Sequence, residues 1–513
     1  MVTWLNRGAA GGSTEAPAVL AWHRQPGIWV LAALLVIVLS VTTALTLARR
    51  MDPSLALMAA LPVAGLGGWL LLTQRTWLLA LLLLVRAPLD PVFAAMSGGG
   101  LGPGAIVNAL VLVLGALAVL AAPRRFANIH VAVWLPFVGL LALAAWASED
   151  RPQAVRLLLT YLSCFVMFML PSLVMRTRAD VRRWLIVLAL ASLVPTLAGL
   201  WDLAGGGVRY EAAQEQALEN PDWAGEIDFG GEGLRVMGAY AHPNIYAFYI
   251  VTVLATLLLL LRMNARRWPL ALRTVGWGYL LLQLAMLLAT RTRSAWAAAA
   301  LLFVAYAAFV DRRALKFVAM SALALPFIPA VRDRMLDLFG AGQRATDAID
   351  SFQWRQALWD SAWPWIQERW ATGWGLDTFN RLSTVFFPFE SVRGFDAHNV
   401  YVQLAFEGGA FTAGAYALVF LGLLAVAVTA PRAHRTPAAI LGALAAGYML
   451  GSYSDNMHRY LVANWYWFFL MGVLCASVHG SLLSQPGGTR PRLYRLRAAR
   501  SDELPTLPIR ERA

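Results

Sequence analysis

Charge is scarce in this sequence. Only 14% of its 513 residues are Asp, Glu, Lys or Arg, while 59% are hydrophobic. Soluble domains carry about 25% charged residues, so a water-soluble fold is excluded and an integral membrane protein is implied. Cysteine is nearly missing. Cys164 and Cys475 each fall inside an apolar run, which leaves neither a disulfide framework nor a metal-ligand spacing. There is no Walker loop, nucleophile elbow or zinc motif. No internal repeat or pair of inverted halves is evident, which weighs against the commonest transporter architectures. Acidic residues are outnumbered, 29 against 42 Lys and Arg, giving a net charge of +13.

What is present is a succession of about fourteen apolar runs, most near the ~20 residues that a bilayer core requires. They begin at 27–48, 54–73 and 76–88 and end at 438–452 and 461–479. The fold class is therefore all-α and polytopic. The first run follows Arg7 and Arg24 and is too long for a signal-peptide core, so it reads as a retained anchor. With the N-terminus inside, most Lys and Arg fall on the inner face and most acids on the outer one, in agreement with the positive-inside rule. The positive charge then reads as inner-leaflet anchoring, not nucleic-acid binding. The chain divides into transmembrane helices over 1–203, an outer loop over 204–238, helices over 239–331, a large outer loop over 332–398, helices over 399–479, and a basic inner tail over 480–513.

The large loop has internal order. Phe352, Arg355, Trp359, Trp363, Ile366 and Trp370 recur at helical spacing, which predicts a helix lying at the membrane interface, broken or restarted at Pro364. Arg355 interrupts the apolar stripe. It either snorkels to headgroup phosphates or points into a site and holds an anion with its fork of donors. Arg291 and Arg293 lie in the short outer connection Thr290-Arg291-Thr292-Arg293-Ser294. They read as helix-end residues or as a phosphate clamp at a helix start. Arg235 precedes His242-Pro243-Asn244, where His242 reads as structural and Asn244 as a cap or cavity lining. His398 stands where the big loop enters a helix, with Asp396 placed to orient its ring. It is a cap, a structural residue, or a base for an acceptor hydroxyl. Asp455, His458 and Arg459 form a further outer polar cluster, read first as a solvated loop.

Taken together these pieces resemble the O-antigen ligase / Wzy polymerase superfamily of bacterial inner-membrane glycosyltransferases. The pattern is Trp354-Arg355 opening a loop helix, Gly373-Trp374-Gly375, Ala397-His398-Asn399 followed by Tyr401, and Glu407-Gly408; the upstream Arg235, His242-Pro243-Asn244 and Thr-Arg-x-Arg-Ser runs add shorter signatures. The resemblance covers roughly 235–475. It implies a GT-C-type fold of about 12–14 transmembrane helices, with interfacial helices in a large periplasmic loop. It implies a glycan carried on undecaprenyl diphosphate as donor, inverting transfer without a metal or other cofactor, and a periplasmic site in the inner membrane with both termini cytoplasmic. His398 is then the catalytic base. Arg235, Arg293 and Arg355 bind the donor diphosphate, with Arg291 a close competitor of Arg293, and with His242, Asn244, Asp396, Asn399, Tyr401, Glu407, Asp455 and Arg459 in support. The acceptor is a growing glycan or lipid A-core, and a chain-length regulator is a candidate partner. Protein O-oligosaccharyl transfer and a non-enzymatic lipid-linked glycan flippase remain the competing readings. A transporter places charge near mid-membrane, whereas here it gathers at one face.

Overall fold

The computed structural model describes residues 75–90, 93, 103–121, 123, 129–175, 177–204, 235–328, 331–332, 351–387 and 394–478. The runs expected at 27–48 and 54–73, most of the 204–238 loop and the 480–513 tail lie outside the described residues.

All regular structure among the described residues is helical. In chain order the described helices of eight residues or more are α1 (Arg75–Arg86), α2 (Pro103–Ala121), α3 (Trp134–Ala147), α4 (Arg151–Val174), α5 (Arg178–Ala191), α6 (Leu193–Ala204), α7 (Pro243–Asn264), α8 (Leu270–Ala289), α9 (Arg293–Phe309), α10 (Ala314–Ala324), α11 (Ser351–Glu368), α12 (Phe379–Phe386), α13 (Val400–Val428), α14 (Arg435–Ser454) and α15 (Leu461–Val478). Among the described residues, seven stretches are long and apolar enough to cross a bilayer: Gly104–Ala121, Arg151–Val174, Arg178–Ala204, Pro243–Asn264, Leu270–Ala289, Val400–Val428 and Leu461–Val478. The chain is thus an all-α polytopic membrane protein. The apolar run at 314–331 yields only the 11-residue α10 and a short 3-10 turn, less than a membrane thickness.

Local sequence sets the helix ends. Asp150 accepts from the Gln153 N–H and starts α4. Thr177 and Asp180 form a reciprocal capping box at α5. Asn399 accepts from the Tyr401 and Val402 N–H groups and starts α13. Helices α7 and α15 form the centre of the bundle, each buried over 89% of its apolar window. Around them the exposed side chains are apolar, Leu143, Trp146, Leu281 and Leu418 among them, as a lipid-facing surface requires.

Close helix approach rests on small residues. A methyl group added at Gly472 of α15 would run into the Phe168 carbonyl of α4. Gly472→Ala is therefore expected to destabilise the bundle by about 1–3 kcal/mol. An unchanged melting temperature of the detergent-purified variant would show that this contact is slack.

The helix ends gather at two opposite poles. One pole carries the α3–α4, α8–α9 and α14–α15 connections together with α11, α12 and the extended segment 394–399. The other carries the α4–α5, α7–α8, α9–α10 and α13–α14 connections. It is rich in arginine.

Pro364 does not break the loop helix. α11 runs continuously from Ser351 to Glu368 with Pro364 inside it. Its protein-facing side is Leu358, Ala362 and Ile366, which pack with Phe379, Phe387 and Phe406. Trp363 and Trp370 stay on the exposed side, where Trp370 meets the equally exposed Phe411 of α13.

Candidate functional site

The Gly-x-Gly turn and the Glu-Gly-Gly run are two halves of one joint. α13 kinks at Gly409, whose φ of 78° and ψ of 173° leave the helical region. The kink frees the Phe406 and Glu407 carbonyls, which accept from the Trp374 and Gly375 N–H groups at 2.9 Å each. The Ala410 N–H in turn donates to the Trp370 carbonyl at 2.7 Å. The approach is backbone to backbone: a methyl at Gly373 would meet Glu407, and one at Gly409 would meet Ala371. The big loop is thereby locked to the first turns of α13.

That joint presents His398. The Ala397 N–H donates to Gln403 Oε1 at 2.8 Å, and the Ala397 carbonyl accepts from Trp359 Nε1 at 2.6 Å. Asn399, the next residue, caps α13. Held on both sides, His398 takes a left-handed φ of 47°, a conformation that persists in a non-glycine residue only when its surroundings impose it. Its side chain is 38% exposed, edge-on to Trp354, with Nδ1 3.7 Å from Asp455 Oδ1. That separation suits an ion pair and is just beyond a hydrogen bond. With Nδ1 toward Asp455, Nε2 is the ring nitrogen turned away from that carboxylate.

Asp455 is buried at the end of α14. It accepts from Asn244 Nδ2 at 2.6 Å and from the Asn456 N–H at 2.8 Å. Burial alone would raise its pKa. The facing His398, with His242 beyond it, outweighs burial and holds the carboxyl below the usual carboxylate range. Asn244 sits in the first turn of α7, where Pro243 fits the helix start and His242 Nδ1 accepts from the Asn244 N–H. His242 therefore acts as a cap.

Asn244 also binds Arg235. The guanidinium donates through Nε to the Thr290 carbonyl at 2.9 Å, and through one amino group to Asn244 Oδ1 at 2.9 Å and Thr292 Oγ1 at 3.2 Å. Asp202 of α6 fixes the segment beneath by accepting from the Met237 and Gly238 N–H groups. Arg235 is thus docked on the corner that carries Arg291 and Arg293. Arg291 has a left-handed φ of 52°, and Arg293 opens α9. Arg355, on α11, donates to the Ser454 carbonyl at 3.0 Å, one residue from Asp455. A line of contacts therefore runs from the Thr290–Thr292 corner through Arg235, Asn244 and Asp455 to His398, with Arg355 beside it.

Two expectations are revised here. Asp396 does not orient His398; it pairs with Arg459 at 3.3 Å, and Asp455 takes the place beside the ring. The Asp455–Arg459 stretch is no solvated loop either. Arg459 is enclosed by Asp377 at 2.8 Å, Asp396 at 3.3 Å and Glu407 at 3.6 Å. Burial would lower the Arg459 pKa, but the three carboxylates more than reverse it. Glu407 is fully buried and accepts from Gln403 Nε2 at 2.6 Å. Arg459 and Glu407 therefore bind the loop to the bundle below the site. His458 lies deeper, stacked on Tyr161 at 5.7 Å, and burial with Arg459 beside it pushes its imidazole well below the ordinary range. Tyr401 donates to the Met449 carbonyl at 3.2 Å and faces the bundle.

Residues 278–417 match the family model for O-antigen ligase. The likeness to the O-antigen ligase superfamily is borne out over this span, narrower than the 235–475 of the motif pattern. No curated protein matches the chain. The O-antigen ligase match includes Arg291, Arg293, Arg355, His398 and Glu407; Arg235, Asn244, Asp455 and Arg459 lie outside it and join the same region through the contacts above. At the family level it implies glycosyl transfer of the ligase or polymerase type by a membrane protein.

Several site residues carry little or no motif signal: Thr290, Thr292, Asp377, Gln403 and the Ser454 carbonyl. The signal for two of them is faint but real. Thr290 and Thr292 flank Arg291 inside the Thr-Arg-x-Arg-Ser run.

Proposed function

We propose that this chain is a GT-C-type glycosyltransferase that moves a glycan from undecaprenyl diphosphate to an acceptor hydroxyl at the periplasmic face of a bacterial inner membrane, as an O-antigen or exopolysaccharide polymerase or an O-antigen ligase. The observation that carries it is His398, held in a left-handed backbone with Nδ1 toward Asp455, on the same polar line as Arg235 and beside Arg355. In this reading His398 Nε2 takes the proton of the acceptor hydroxyl as that oxygen attacks the anomeric carbon. The bond to the diphosphate breaks on the opposite face, so configuration inverts. Arg355, Arg235 and the Arg291/Arg293 pair hold the diphosphate and stabilise the charge that grows on it as it leaves, a role another protein can give to a metal. The basic pole of the bundle supports an orientation with that pole in the cytoplasm.

A guanidinium spans two phosphate oxygens where an ammonium meets one. Arg355→Lys is accordingly expected to lower transfer about tenfold or more, read as glycan product per unit of membrane-inserted protein. Full turnover with lysine would leave Arg355 a headgroup-snorkelling residue.

The broader test is the glycan profile of a strain lacking the gene. Single repeats on the lipid core identify a polymerase. A bare core with long lipid-linked polymer identifies a ligase. Unaltered lipopolysaccharide, exopolysaccharide and glycoprotein glycans together would sink the proposal.

A further inference from the structure

The pole opposite His398 contains a cavity of about 270 Å³. Its wall carries four arginines, Arg178 and Arg182 from the start of α5, Arg262 from the end of α7 and Arg267 from the turn just after it. No Asp or Glu is among the described residues that line it. The nearest carboxylate along the chain, Asp180, is engaged in the α5 capping box and with Arg183 at 3.3 Å. The volume far exceeds the ~10–15 Å³ that one water needs.

Further features make this more than a run of surface charge. Asn264 and Ser477, both buried, lie in the wall, so it is polar where the bundle closes. Two helices start there: α5, and α14 at Thr436, where the residue before the helix gives no side-chain cap. The amino ends of helices present N–H groups and positive dipole to an anion. Leu259, Met263 and Val181 supply an apolar side to the same wall. Arg182, Arg262 and Arg267 are like charges about one cavity, and an anion among them lowers their repulsion.

We propose that this cavity is a phosphate-binding site that takes the headgroup of an anionic phospholipid from the cytoplasmic leaflet, with the apolar wall receiving its glycerol and upper acyl atoms. The recognised group is a phosphate mono- or diester. The site is separate from the His398 region, and the inference stands whatever the transfer reaction is.

The test uses the full chain purified in detergent, with lipid retention followed by native mass spectrometry and by thermal melting. Phosphatidylglycerol is expected to be retained about tenfold more strongly than phosphatidylcholine, and to raise the melting temperature. The double variant Arg182→Gln/Arg262→Gln loses that preference. Arg273→Gln/Arg312→Gln, at the same pole but outside the cavity, keeps it. Where the double variant fails to fold, Arg267→Gln alone is expected to weaken retention. Displacement of phosphatidylglycerol by millimolar inorganic phosphate identifies a site open to soluble phosphates as well. Lipid retained in the presence of inorganic phosphate restricts it to the bilayer. Equal retention of the two lipids by the wild type with no stabilisation by phosphate overturns the proposal, as does equal preference in the wild type and the cavity variants.

Discussion

His398→Ala is expected to leave the protein in the membrane at normal abundance and to lower glycan transfer by about 10²–10⁴-fold, the range that a positioned general base supplies. The two halves of this expectation have different origins. The imidazole is partly exposed, and the segment around it is held through the Ala397 backbone, Gln403, Trp359 and the Asn399 cap, none of which needs the His398 side chain. Removing the ring therefore leaves the anchoring in place. The left-handed φ of 47° is one that asparagine adopts more readily than alanine, so His398→Asn separates backbone strain from chemistry. Both variants lose activity if Nε2 is the base. Recovery of transfer in His398→Asn would instead assign the residue a conformational role. Wild-type rates in both, at equal membrane abundance, would remove it from the reaction.

Much of the helical frame could be read along the chain, because a bilayer demands long apolar segments and the helix ranges fall on them. The 29-residue α13 and the buried α7 and α15 are such cases. α10 shows the limit, since hydropathy alone does not reveal where an apolar run stops being helical. Pro364 shows another. Its place in the helix is settled by the packing of Leu358, Ala362 and Ile366 on the phenylalanine cluster, which a one-dimensional pattern does not contain. In the site, His398, Arg235 and Asn244 stood out by residue type at segment ends. Their partners did not. Asp396 is two residues from His398 in sequence, yet the chain direction at a left-handed residue turns it toward Arg459. Asp455 reaches the ring from the end of α14. Glu407, legible as part of a motif, proves to face inward beneath the loop. Sequence proximity is a poor guide wherever three elements meet, and here α7, α13 and α14 all end near one another.

That geometry makes Asp455→Asn the sharper experiment. The carboxylate faces His398, Asn244 Nδ2, the Asn456 N–H and the Tyr460 hydroxyl. An amide of the same shape keeps one acceptor oxygen and turns an NH₂ group toward one of them. The imidazole then loses the group that selects which nitrogen carries the proton, and the contact from Asn244 Nδ2 is weakened. The expected result is a fall in kcat of about 10²-fold or more with KM changed little, because donor and acceptor still bind while the base is mispositioned. Asp396→Asn provides the contrast. Arg459 keeps Asp377 and Glu407 when Asp396 is neutralised, so the loss is expected in thermal stability and to be modest in kcat. The reverse ranking, with Asp396→Asn inactive and Asp455→Asn near wild type, would return the orienting role to the residue nearest in sequence. It would also mean that the His398–Asp455 contact does no chemical work. One carboxylate pairs with Arg459 and the other faces His398, so a single pair of kinetic measurements decides which of them the histidine answers to.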